Sequence, residues 1–403
     1  MSLEPTSSPS APSTEVSFRS FSFASATGIF ILMGAVTSLY GPLLESFTHR
    51  FHISLPTAGA ALSVYFVGAT LGVLPGWLGL KRLNGRHVLT LSLLSISLGA
   101  AGATFLHSWA FFLASAFVIG LGFGALDIAL NTLLARTAPE GRAHRLSIGN
   151  GGYGVGAVIC PLVIIGLGPS HFTTLFGGLC VIGLVLSTAN GGVHAPPLRT
   201  EALQREITKM KAQRRPILFT FVIAYVLYVA IETTSSGWMA TDLHGVGYSQ
   251  SIGSLVTAGF WGGLAVGRLA GGPLYHWLSD KKLVLGGLTA AIVLCGLAAI
   301  DPVAPFAYPL LGLIIASIFP MGLIWYTKLC PHDSDGLSLL IFIMMIGGVA
   351  GPGLVSLLVS HLGVRVVPFT IAIYAALDLA VFLSARRFRP IVVAGATDPS
   401  SST

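Results

Sequence analysis

Charge is scarce in this chain. Only 9% of its 403 residues are Asp, Glu, Lys or Arg, where a water-exposed surface needs about a quarter. Cysteine is sparse too. Cys160, Cys180, Cys295 and Cys330 are far apart, lie mostly inside apolar runs and form no CxxC pair. That excludes a disulfide framework and a cysteine-built metal site. No phosphate-binding glycine loop occurs, because the Gly-x-Gly pairs fall in apolar runs and read as packing, so ATP is no energy source within this chain and no cofactor is expected. Residues 1–17 are Ser/Pro-rich, lack the charged-then-apolar pattern of a signal peptide and read as a disordered tail.

Apolar residues and glycine are what the chain has in quantity. Hydrophobic residues make up 53%, mean hydropathy is +0.82, and there are 49 glycines. Lipid must therefore be the solvent for most of the surface, and glycine suits helices that approach one another closely there. Spanning a hydrocarbon core takes about 20 apolar residues. Apolar runs fall near 21–45, 57–80, 87–107, 109–135, 143–167 and 171–191, then near 216–241, 250–277, 282–300, 304–328, 336–361 and 365–386. That gives twelve spans, six on each side of a polar break.

Basic residues test the count. Arg19, Lys81, Arg82, Arg86, Arg136, Arg142, Arg145, the run Arg199 to Arg215, Lys281, Lys282, Lys328, Arg386, Arg387 and Arg389 all fall on one side; the other side holds Arg50 and Arg365. The positive-inside rule makes the rich side cytoplasmic, with both termini there. This placement also accounts for the net charge of +7 without nucleic acid. The break, 192–215, carries a charged helical pattern from Glu201 to Arg215 and reads as a cytoplasmic surface helix linking two bundles.

The two halves repeat. Gly68, Gly72 and Gly76 are matched 195 positions later by Gly263, Gly267 and Gly271; Gly156 and Pro161 are matched 191 positions later by Gly347 and Pro352. Glycine every fourth residue makes a smooth stripe along one helix face, on which helices pack and slide. Two such halves make a rocker with a site between them at mid-depth.

This architecture, with the segment GWLGLKRLNGRHVL after span 2, resembles the major facilitator superfamily. Of that superfamily's loop motif the chain keeps Gly76, Arg82, Gly85 and Arg86 but lacks the aspartate, which puts the loop's charge relay in doubt. Span 4 (GLGFGALDIALNTLLA) and span 7 (YVLYVAIETTSSGW) are similar to the fucose:proton symporter and glucose permease-like family. The matching residues are Asp127 with Asn131, Tyr228-Val229 with Glu232, and Gly267-Arg268. That family's acidic residue inside span 1 has no counterpart, since Glu45 falls at the outer end of the helix. The resemblance implies a transporter fold, a sugar-like solute and proton coupling.

Ionisable groups inside a span cost about 2.5–3.5 kcal/mol each to insert, so each needs a reason. Asp127 and Asn131 share one face of span 4. The carboxyl can carry a proton, and the amide suits a hydroxyl-rich solute. A structural bond between helices is the alternative. In span 7 Tyr228 and Glu232 share a face, with Trp238 nearer the outside; acid plus aromatics suits a sugar, and a buried structural carboxylate is the competing reading. Trp261, Tyr40 and Tyr65 are weaker candidates for the lining and serve equally well as core. Arg268 reads as a gate or structural residue in the cytoplasmic third of span 8, pairing with helix-end carbonyls or an acid such as Asp335. Asp378 is read as packing in the outer scaffold, and His244 and His276 as solvated residues flanking spans.

The sequence thus predicts an all-α membrane protein of twelve transmembrane helices in two pseudo-repeated six-helix bundles, 21–191 and 216–387. The linker 192–215 joins them, and cytoplasmic tails 1–20 and 388–403 flank them. The expected function is secondary active transport of a small polar solute, a monosaccharide, by proton-coupled symport across the plasma membrane. Asp127 and Glu232 would carry or sense the proton; Asn131, Tyr228, Glu232, Trp238, Trp261, Tyr40 and Tyr65 would line the site. Sodium suits the same ligands. No enzyme activity, metal or nucleic-acid partner is expected, and the working unit is a monomer. The rival is efflux of drugs or metabolites by the same fold, suggested by GNGGYGVGAVICPL in span 5. A non-transporting solute sensor is more remote, since the tails run to only about twenty residues.

Overall fold

A computed structural model of the chain describes residues 17–18, 20–136, 142–195, 197, 214–275, 277–331 and 333–390. The first half forms α1 (Ser20–Phe51), α2 (Leu55–Arg82), α3 (Gly85–Phe105), α4 (Trp109–Ala135), α5 (Arg142–Leu167) and α6 (Phe172–Thr188). The second forms α7 (Arg215–Gly245), α8 (Gln250–Tyr275), α9 (Asp280–Ala298), α10 (Ala304–Ile315), α11 (Ile318–Leu329), α12 (Ser334–Leu362) and α13 (Val367–Ala385). Ten stretches are long and apolar enough to cross a membrane, with α10 and α11 together counting as one. The described apolar parts of α5 and α6, Gly151–Leu167 and Phe172–Thr188, are shorter and complete the twelve spans.

Residues at matching places in the two halves start and stop these helices. The Ser54 hydroxyl accepts from the Thr57 N–H at the start of α2, and Ser249, 195 positions on, accepts from Ile252 at the start of α8. Asn84 caps α3 through the Arg86 N–H, and Ser279, again 195 on, caps α9 through Lys282. Gly168 and Gly363, at the same spacing, end α5 and α12 with φ of +84° and +80°. An L side chain rarely enters that region, so glycine is the residue that can turn the chain there. The repeat read from the glycine stripes therefore extends to the caps and turns.

The stripes let backbones touch. A Cβ on Gly72 would collide with the Leu121 carbonyl of α4, and one on Gly267 with the Leu313 carbonyl of α10. Gly68 meets Phe117 in the same way, and Gly263 meets Pro309. Gly156 lies on the Ile31 carbonyl of α1, and its counterpart Gly347 on the Val226 carbonyl of α7. Gly76 packs on Ala125, and Gly85 on Leu133 and Ala195. The surroundings of Gly271 fall outside the described residues, as do His276 and the charged run 201–213.

Several sequence expectations are revised. Helix α1 continues to Phe51, beyond the expected end near 45. The run 304–328 is two helices, interrupted at Ala316 and Ser317; Pro320 has no N–H to offer the Ala316 carbonyl one turn back, and its ring crowds that turn. At the edge of the expected tail and linker, Ser17–Phe18 pairs antiparallel with Val193–His194.

The halves meet most tightly at the end that carries the α1–α2 and α7–α8 connections. The Gln250 amide donates to the Pro42 carbonyl at 2.8 Å and to the Ser46 hydroxyl at 3.3 Å. His244 Nε2 lies 3.4 Å from a Glu45 oxygen, so His244, expected to be solvated, is a cross-half contact. The Ser356 hydroxyl donates to the Pro56 carbonyl, and Ser63 to that of Val349. These contacts close this end. The polar part of the latch is worth about 1–2 kcal/mol, an exposed ion pair counting for less than the hydrogen bonds. Glu45→Gln with Gln250→Ala should therefore shift the open–closed equilibrium about ten-fold toward opening. Distances between spin labels on Thr57 and Ser360, exposed residues on the two sides of the latch, should then show a larger long-distance population.

Candidate functional site between the halves

On α4, the Asn131 amide donates to an Asp127 carboxyl oxygen at 2.9 Å and to the Asp127 carbonyl at 3.0 Å. Both residues are half-buried. Asp127 thus has an amide partner, and no ion pair links it to a cation among the described residues.

On α7, Glu232 faces Arg268 of α8 with 3.6 Å between their charged atoms. At that separation the attraction amounts to about 4 kcal/mol before desolvation is subtracted. The partner of Arg268 is thus an acid, Glu232 of span 7, rather than a helix-end carbonyl; the Asp335 side chain is outside the described residues. Tyr228, one turn before Glu232, is buried beside both charges.

Tyr153 of α5 joins the two sides. Its hydroxyl donates to Thr37 of α1 at 2.9 Å, and its ring meets Trp261 of α8 edge-on, with centroids 6.2 Å apart. It stands within electrostatic reach of Asp127 in one half and of Glu232 and Arg268 in the other. Tyr65 reaches Tyr153 and Asp127, and Tyr40 lies against it at 5.1 Å. The Tyr40 hydroxyl and the Trp261 indole N–H are buried without hydrogen-bond partners among the described residues, whereas the Tyr65 hydroxyl lies beside Thr37 and that of Tyr228 beside Glu232 and Arg268.

The structure therefore brings together Asp127, Asn131, Tyr40, Tyr65, Tyr228, Glu232 and Trp261, and adds Arg268, Tyr153 and Thr37. Trp238 is not among them. It is fully buried in the closed end, where its ring fills the space beside Gly59 of α2. Six residues past Glu232, it lies about 9 Å nearer the closed end and points about 120° away around the helix. Tyr153 was missed because its segment, GNGGYGVGAVICPL, reads as the glycine- and proline-containing stretch that suggests efflux. A lone tyrosine amid glycines was the available signal.

Two surface grooves of about 470 and 480 Å³ lie elsewhere, one between α7 and α12 around Phe219 and Leu339, the other between α2 and α12 at the closed end. Among the described residues no cluster of His, Cys, Asp and Glu could hold a metal ion, and the four cysteines are unpaired.

Twelve spans in repeated halves, with acids and aromatics buried where the halves meet, define a membrane transporter. Residues 26–336 match the family model of the Major Facilitator Superfamily, so the chain belongs to that superfamily, whose members are transporters and not enzymes. The glucose/mannose transporter GlcP of Bacillus subtilis is 25% identical over 314 residues, covering 73% of this chain and 77% of GlcP. Among solved structures, a bacterial homologue of the lysosomal transporter Spinster, inward-facing, fits with a TM-score of 0.77 at 15% identity, covering 92% of this chain and 97% of its own. A D-xylose-proton symporter fits at 0.75 with 17% identity (93% and 98% covered), and the transporter FucP, in the outward conformation, at 0.64 with 19% (91% and 99%). At these identities the structures show a shared fold.

Proposed function

We propose that the protein is a proton-coupled symporter for a monosaccharide-like solute, with Asp127 as the coupling acid and Glu232 as a solute ligand. The observation that carries this reading is the unequal pairing of the two acids. Arg268 pairs with Glu232, whose carboxyl oxygens can also accept hydrogen bonds from solute hydroxyls. Asp127 faces an amide, which bonds either protonation state, so its proton can come and go without stranding a buried cation. The Tyr40 hydroxyl and the Trp261 indole N–H, buried nearby without partners among the described residues, suit a solute rich in hydroxyls, because each orphan costs about 1–3 kcal/mol. The sugar named for GlcP and the proton named for the xylose symporter support the same assignment.

The closed end is the outside in the expected orientation, so the structure corresponds to a state closed to the exterior. The orientation has its own check. A cysteine at position 205 of the linker should react with a membrane-impermeant maleimide only after the cells are opened, and labelling in intact cells would contradict it.

The assignment of substrate is tested by counterflow in proteoliposomes preloaded with unlabelled glucose, mannose, xylose or fucose. Transient accumulation of at least one labelled sugar is expected. Failure with all four, together with counterflow of a lipophilic cation, would favour the efflux reading.

A further inference from the structure

Asp378 stands apart from the site between the halves. It lies eleven residues into α13 with none of its surface exposed, and neither carboxyl oxygen has a hydrogen-bond partner among the described residues. A charge held in that way forfeits its hydration with nothing in return, so in this conformation the carboxyl is the neutral acid. Even neutral, its O–H and C=O go unmet, which costs about 1–3 kcal/mol. A group unsatisfied in one conformation favours another in which it finds a partner.

The partner is within reach. Tyr225 of α7 feels the Asp378 carboxyl electrostatically, and Phe382, one turn past Asp378, packs on the Tyr225 ring at 6.5 Å. The Tyr225 hydroxyl is engaged, donating to the Phe319 carbonyl at 2.6 Å. Phe319 is two residues past the break between α10 and α11, where a hinge could carry that carbonyl away. The Tyr225 ring also lies 6.4 Å from that of Tyr228, whose hydroxyl sits beside Glu232 and Arg268. Tyr225 and Tyr228 thus link the neighbourhood of Asp378 to that of Glu232 and Arg268.

The other helices offer no competing charge at this depth. On α9 the titratable groups are Cys295 and, at the helix start, Asp280, Lys281 and Lys282, with Asp280 held by Lys328 at 3.1 Å. On α11 Tyr326 donates to Asp333, and Tyr374 of α13 itself donates to the Gly351 carbonyl of α12.

We propose that Asp378 is a second proton-binding site, which exchanges its proton with the central site past Tyr225 and Tyr228. When the α10–α11 junction moves, the Tyr225 hydroxyl parts from Phe319 and turns to the carboxyl. The Asp378 O–H bond then breaks, the proton passes to a water entering beside Tyr228, and the carboxylate left behind accepts from Tyr225. Neither the identity of the solute nor the role of Asp127 enters this step.

Infrared spectroscopy of the full chain in liposomes, without solute, tests it. The wild type should show the C=O band of one protonated carboxyl that Asp378→Asn removes. If that variant does not fold, Asp378→Glu should move the band and so assign it. In D2O the wild-type band should shift as the proton exchanges, and Tyr225→Phe should slow that shift by about ten-fold or more. Absence of the band from the wild type would overturn the proposal. So would a wild-type band that never exchanges, since Asp378 would then be a sealed structural acid. Exchange in Tyr225→Phe as fast as in the wild type would overturn the route.

Discussion

Asp127→Asn protein in proteoliposomes exchanges internal for external sugar at close to the wild-type rate, yet no longer concentrates sugar when a proton gradient is imposed. The amide keeps the size of the side chain, and its oxygen can still accept from Asn131, so the geometry at 2.9 Å survives while titration does not. Exchange needs no net proton movement; accumulation does. The ratio of internal to external sugar should fall to about one, the value for a carrier without a coupled gradient. Glu232→Gln should behave differently. It leaves Arg268 without its partner in a site where only about a third of the arginine side chain is exposed. Removing one member of a buried pair strands the other charge, here with some relief from solvent. Exchange and accumulation should both fall, and the contrast between the two amides assigns the roles.

Gly267→Leu should give no transport and a protein that melts well below the wild type. Even a Cβ at this position collides with the Leu313 carbonyl, and backbone cannot step aside as a side chain can. Overpacking of this kind costs about 1–3 kcal/mol or more where backbone must move, and here it also parts helices α8 and α10. Gly72→Leu should match it in the other half, against Leu121. Gly178→Leu and Gly296→Leu are the controls. Both glycines are exposed, with open space where a Cβ would go, and both substitutions should leave melting and counterflow near wild type. Equal tolerance at Gly267 and Gly296 would show that the stripe does not hold the helices.

Composition made the fold legible, because lipid as solvent leaves few alternatives to spanning helices, and the repeat pinned the halves to each other. The break in span 10 went unread, although Pro320 marks it, because several other spans carry proline inside an unbroken helix, among them Pro161 and Pro352. In the site, Asp127, Asn131, Tyr228 and Glu232 were legible as polar groups at helical spacing. Depth was estimated along each helix, but the face was not always followed. Trp238 lies too near the closed end and on the wrong face. Arg268 lies seven residues after Trp261, two turns on along the same face, which was the available sign that it belongs to the site. Its pairing with Glu232 joins different helices and cannot be read from spacing along one. Tyr153 carries no charge to draw attention, and its role comes from where α5 crosses α8.

Proton movement accompanying sugar entry is the most direct test of the account. Sugar is added under anaerobic conditions to a lightly buffered suspension of de-energised cells expressing the protein, and external pH is followed with an electrode. The account predicts a prompt alkalinisation that starts with sugar entry, disappears with a protonophore, and is absent from Asp127→Asn cells even though they still admit sugar. Sugar entry at the wild-type rate with no change in external pH, or entry that depends on sodium and ignores the protonophore, would contradict it.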